Sequence, residues 1–134
     1  MKYLLDTNIC VFVIRQKPEV VVRRFRKHQI DELGISTVTF AELRYGDDKS
    51  SDPSKNHSAL DAFVAPLEIA EFDAAAADYY GKVRTDLEAR GLPIGPLDTM
   101  IAAHALSLGI PVVTNNKGEF SRVTGLTVED WTTP

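Results

Sequence analysis

Hydrophobic residues occur in short runs that alternate with longer, periodic stretches. Tyr3, Leu4 and Leu5 form the first run and read as a short buried strand. Asp6, Thr7 and Asn8 interrupt it, and Ile9, Val11, Phe12, Val13 and Ile14 resume it over a length that suits a helix from Thr7 to about Arg15. Pro18 opens a second helix with the body EVVVRRFRKH, since proline's missing N–H does no harm in a first turn. Leu33 to Ser36 is a second strand, and TVTFAELRYG a helix expected to stop at Gly46. DDKSSDPSKNHS is a polar surface connection, with Pro53 restarting a helix through ALDAFV until Pro66. LEIAEF gives a third strand. Asp73 caps the long helix AAAADYYGKVRTDLEARG, which Gly91 closes. After LPIGPLD, the helix TMIAAHALSLG is apolar almost all round. PVVT is a fourth strand, NNKGEFSRV a turn or short helix, and LTVEDW a last strand.

Short apolar strands alternating with helices predict a single α/β domain over residues 1–134. Its core is a mostly parallel sheet of four or five short strands, covered by helices on both faces in a three-layer α/β/α sandwich. A helix apolar on every side, such as residues 99–108, belongs in the middle of that sandwich.

Composition narrows the function. With 134 residues, 44% hydrophobic and 25% charged, the chain has an ordinary globular make-up. A net charge of −4 and a pI near 5.3 argue against a protein that coats nucleic acid, but not against an enzyme that touches it at a local patch. The single cysteine, Cys10, excludes an internal disulfide and a cysteine-built zinc site, and is expected to be a buried thiol suited to a reducing compartment. Asp6 breaks the first apolar run too early for a secretion signal, and residues 9–14 are too few to span a bilayer, so a cytoplasmic location is expected.

Ligands of open α/β sheets bind at the carboxyl ends of strands. Asp6 follows the first strand, Glu42 lies in the second turn of the helix after the second, and Thr114, Asn115, Asn116 and Glu119 follow the fourth. Asp98 starts the most apolar helix. Each has an ordinary explanation. Asp6 and Asp98 suit helix caps, and Glu119 suits the surface. Glu42 fits the ordinary picture less well, because at about 100° per residue it falls on the side of Val38, Ala41 and Tyr45. Gathered in one place, such carboxylates repel one another and need a positive partner. No lysine or arginine adjoins Asp6 or Asp98, which leaves Mg²⁺ or Mn²⁺ as the natural counter-charge. These ions activate water and neutralise charge on a phosphate, so the pattern suggests a metal-dependent phosphoesterase. Thr7, Asn8, Thr99, Thr114, Asn115 and Asn116 would support the carboxylates or the substrate.

Four blocks in order, LLDTNIC, ISTVTFAELRYG, GPLDTMIAAHALSLG and VVTNNKGEFSRVTGLTVEDW, resemble the PIN-domain ribonucleases, and within them the VapC toxins of bacterial toxin–antitoxin pairs. The resemblance spans Met1 to about Trp131. It implies that Asp6, Glu42 and Asp98 are the family's acids. Asn116 stands where many PIN domains carry a further aspartate, leaving Glu119 as the fourth acid. It further implies Mg²⁺- or Mn²⁺-dependent hydrolysis of RNA, with tRNA the expected target and 3′-hydroxyl and 5′-phosphate products. The implied partner is a VapB antitoxin, which alone contacts operator DNA, and the implied assembly is a homodimer.

RNA binding needs positive charge. Arg15, Lys17, Arg23, Arg24, Arg26 and Lys27 supply a basic stretch that serves RNA or antitoxin, or is simply the solvated face of a helix. His104 is expected to be a hydrogen-bonded core residue rather than a metal ligand, and Tyr79 and Tyr80 to pack rather than to stack on bases. Two other readings compete. One is a phosphatase with Asp6 as nucleophile, a chemistry that usually needs a lysine near the aspartyl phosphate and finds only Lys117. The other is a catalytically silent PIN-like module that binds RNA or protein.

Overall fold

A computed structural model describes all residues, Met1–Pro134. Five strands form one sheet in the order β3-β2-β1-β4-β5, every neighbouring pair parallel. They are β1 (Tyr3–Leu5), β2 (Leu33–Ser36), β3 (Glu68–Ala70), β4 (Val112–Val113) and β5 (Val128–Glu129). Seven helices connect them: α1 (Thr7–Arg15), α2 (Glu19–Lys27), α3 (Thr37–Asp48), α4 (Pro53–Val64), α5 (Ala74–Ala89), α6 (Pro96–Leu108) and α7 (Lys117–Phe120). Local chemistry sets most starts. Asp6, Ser36, Asp52 and Asp73 each cap a helix by accepting a backbone N–H of its first turn. Gly109, at φ +67°, takes the left-handed turn that ends α6.

The sheet separates two cores, because neighbouring side chains of a strand point to opposite faces. Leu5 joins Ile9, Val13, Leu43, Leu60 and Trp131 on one side. Leu4 joins Val38, Leu87, Ile101 and Phe120 on the other. Helix α3 therefore reaches both cores, with Leu43 in one and Val38 in the other. The strand order reverses next to β1: the chain moves outward through β2 and β3, then returns to β4 on β1's other side. Such a reversal opens a crevice at the strands' carboxyl ends. Leu5 pairs with Val113, so Asp6 and Thr114 emerge there side by side.

The architecture is the expected three-layer sandwich, with five strands that are all parallel. Local boundaries differ from expectation. Helix α3 does not stop at Gly46 but continues to Asp48. Arg44 ties its last turns to Asp61 on α4. Helix α6 begins at Pro96, so Asp98 lies inside its first turn and does not cap it. The third and fifth strands shrink to Glu68–Ala70 and Val128–Glu129, and Trp131 is fully buried just beyond β5.

Candidate active site

Asp6 is anchored on three sides. Its N–H donates to the Val113 carbonyl at 2.9 Å, Oδ1 accepts the Ile9 N–H at 3.1 Å, and Oδ2 accepts the Thr114 hydroxyl. Thr114 Oγ1 in turn accepts the Asn116 N–H at 2.9 Å. With 5% of its surface exposed, Asp6 carries a pKa pushed up to about 6. Burial is the main cause. The bonds from Thr114 and Ile9 oppose it, and the charges of Asp98 and Glu42 add to it. Asp6 is thus both the cap of α1 and an acid of the site.

Three more acids lie nearby: the charges of Asp98 and Glu42 act on Asp6, and that of Glu119 acts on Asp98. Glu42 accepts the Thr7 hydroxyl at 2.7 Å, a bond between α3 and α1. Asp98 is half-buried, and its pKa is raised first by burial and then by the charges of Glu42 and Glu119. Glu119 on α7 accepts the Asn116 side-chain N–H at 2.9 Å. Asn8 donates to Asn115 across the edge of the site at 3.3 Å. Asn116 therefore orients Glu119. Thr99 stands apart: its hydroxyl donates to the Gly95 carbonyl within α6, so it supports the helix rather than the carboxylates. The surroundings expected for Glu42 are also corrected. Ala41 and Tyr45 face solvent, and it is the neighbouring α1 that half-buries Glu42.

No lysine, arginine or histidine forms an ion pair with Asp6, Glu42, Asp98 or Glu119, although eight ion pairs occur elsewhere. The donor set is oxygen alone, which suits Mg²⁺ or Mn²⁺ and not a zinc site of histidine and cysteine. No three acids, histidines or cysteines stand close enough together to hold a metal ion by themselves. Mg²⁺ does not need such a set, since it keeps several waters and is commonly held by one or two carboxylates plus substrate phosphate. The residues present fit such an ion.

The basic stretch does not form one surface. Arg24 turns inward, donating to the Asp130 and Thr133 carbonyls at 3.0 Å each. Arg26 donates to Gln16 at 3.1 Å. Arg23 and Lys27 border a separate hollow with His28 and Glu129. Only Arg15 lines the groove that opens from Thr7 and Glu42, a space of about 370 Å³ between α1, α3 and α4. Lys49, Ser50 and Asn56 line the same groove over a floor that includes Val11, Ile14 and Leu60. These three lie in the stretch expected to be a plain surface connection. The extension of α3 past Gly46 is what carries Lys49 to the groove.

The PIN domain family profile matches residues 3–126. A relative from Shigella flexneri, named tRNA(fMet)-specific endonuclease VapC, is 47% identical over 131 residues, 98% of each chain. The chain belongs to the PIN-domain family, in its VapC group. Among solved structures, this PIN domain is similar to DNA-bound VapBC from Salmonella typhimurium, with 44% identity, a TM-score of 0.92 and 98% of both chains covered. It is also similar to VapBC2 from Rickettsia felis bound to a promoter DNA fragment, with 42% identity, a TM-score of 0.89 and coverage of 98% of this chain and 99% of that one.

Proposed function

We propose that this PIN domain is a Mg²⁺- or Mn²⁺-dependent endoribonuclease, the toxin of a VapBC pair, with tRNA as substrate and a VapB antitoxin as its inhibitor. The single observation that carries the reading is the set of four acids at the β1–β4 crevice, coupled to one another and paired with no cation. The names of the relatives support the rest: the Shigella protein is called a tRNA endonuclease, and the Salmonella and Rickettsia structures are VapBC complexes on DNA. Operator DNA is then contacted through the antitoxin, and the toxin acts as a homodimer.

Asp6 and Asp98 would hold the ion, together with Glu42 and Glu119. Bound there, the ion supplies an activated water and neutralises charge developing on the phosphate, giving 3′-hydroxyl and 5′-phosphate ends. Thr114 and the Ile9 N–H aim the Asp6 carboxylate, Thr7 aims Glu42, and Asn116 aims Glu119. Arg15 and Lys49 offer positive charge to the RNA backbone along the groove beside Glu42. No observation favours the phosphatase reading, since Lys117 makes no ion pair with Asp6. The test is to incubate antitoxin-free protein with total tRNA and Mg²⁺ or Mn²⁺, beside Asp6→Asn and Asp98→Asn. Cleavage by wild type alone, lost on chelation, is the expected result. Equal behaviour of all three proteins would overturn the proposal.

A further inference from the structure

Helices α3 and α6 meet twice. At the site, Glu42 of α3 and Asp98 of α6 feel each other's charge. Away from it, Ser36, the cap of α3, meets His104 of α6, with Oγ and Nδ1 2.8 Å apart and both residues buried. Ser36 lies six positions before Glu42 and His104 six after Asp98. Each half of this tie is therefore roughly 9 Å along its helix from an acid.

The Ser36 oxygen already accepts the Val38 N–H at 3.0 Å. We assign the serine hydroxyl as donor and Nδ1 as acceptor, which puts the proton of a neutral ring on Nε2. Burial keeps that ring neutral by lowering its pKa, against an upward pull from the charge of Asp73. Phe72 meets the ring edge-on at 5.5 Å and 81°, and its N–H donates to Thr37 Oγ1 at 3.1 Å. With 1% exposure, His104 touches neither substrate nor ion.

We propose that His104 is a positioning residue of the acidic site: its hydrogen bond with Ser36 fixes the start of α3 against α6 and so holds Glu42 and Asp98 at the separation a divalent ion requires. This rests on reading the acids as an ion site. Two substitutions separate positioning from packing, and both keep Ser36 as the helix cap. His104→Phe keeps ring bulk beside Phe72 but removes the acceptor. His104→Asn loses the ring but keeps an acceptor near the place of Nδ1. Mn²⁺ binding by calorimetry, thermal melting, and kcat and KM for RNA are measured on each full-length protein.

If the hydrogen bond positions the acids, His104→Phe melts near wild type yet binds Mn²⁺ about tenfold more weakly, as losses of supporting bonds around metal sites do. Its kcat falls while KM for RNA holds. His104→Asn melts lower yet binds Mn²⁺ close to wild type. Ser36→Gly removes the same bond from the other side, with a residue tolerated as a cap, and should match His104→Phe. It decides the question if His104→Phe does not fold. Mn²⁺ affinity that follows melting temperature instead, or that no variant shifts, overturns the proposal, as does a wild type that binds no Mn²⁺. A wild type that binds Mn²⁺ but cleaves no RNA sinks the ribonuclease reading alone, and the order of Mn²⁺ affinities still decides the role of His104.

Discussion

Two charged regions of the molecule follow opposite rules. In the corner where α2 meets the chain's end, charges are matched. Arg24 donates to two carbonyls, lies 3.8 Å from Glu129 and sits over Trp131 at 5.9 Å. Glu32 lies 3.3 Å from Lys2 and 3.8 Å from His28. At the β1–β4 crevice, four acids share a half-buried space with no cation, and Asp6 and Asp98 are held above the usual carboxylate range. The first arrangement stabilises the fold. The second costs stability, because burial and like charge both disfavour the ionised form. A cluster that weakens the empty protein is accounted for by what it binds.

The largest expected effect breaks the two regions apart. Asp6→Asn should lower RNA cleavage by at least about 100-fold, the upper end of what loss of a metal ligand's support alone costs. Asparagine still caps α1, and the buried charge is gone. With a pKa near 6 in the fold, removing that charge should raise stability at pH 7 by about 1–3 kcal/mol. Arg24→Ala should do the reverse: about 1–3 kcal/mol of stability lost with its carbonyl bonds, and cleavage by the remaining folded protein unchanged. Urea melts in chelator, beside tRNA cleavage assays, check both. A destabilised Asp6→Asn, or a folded but inactive Arg24→Ala, would erase the contrast.

Next is pH. The folded pKa of Asp6 lies above its unfolded value, so the folded state binds the extra proton between about pH 4 and 6. Stability of the ion-free protein should fall as pH rises through that window, and Asp98 contributes in the same direction. Mn²⁺ at 100 times its Kd should restore about 2.7 kcal/mol at pH 7 and progressively less below pH 6, where protons compete. Melting curves against pH, with and without Mn²⁺, read this directly. A flat profile without the ion would place the acids in ordinary solvated surroundings.

What the sequence disclosed follows the range of the forces involved. The alternation of strands and helices was legible because burial on both faces of a parallel sheet leaves a local pattern. Asp6 was legible as both cap and acid because each role depends on its place after β1. The place of Asp98 at the start of the apolar helix is legible, but the ordinary alternative of a cap is not what the fold uses, since Pro96 takes the first position. The helical wheel sets Glu42 beside Ala41 and Tyr45, and both are exposed. Its true neighbour, Thr7, is 35 positions away, and no helical period reveals such a contact. The groove was hidden for the same reason. Arg15 and Lys49 come together only through the packing of α1, α3 and α4, which depends in part on Arg44 and Asp61.

The smallest expected effect divides the basic stretch. Arg15 lines the groove beside Glu42, whereas Arg23 borders the hollow near Glu129. If RNA follows the groove, Arg15→Ala should raise KM severalfold, leave kcat nearly unchanged and reduce the slope of log affinity against log salt by about one. Arg23→Ala should change neither. Binding of tRNA to the Asp98→Asn protein, titrated at several salt concentrations, measures the slopes without cleavage. Equal loss in both variants would mean that the whole basic stretch attracts RNA by its field. A loss confined to Arg23→Ala would move the RNA path to the α2 corner and leave Arg15 and Lys49 free for the antitoxin.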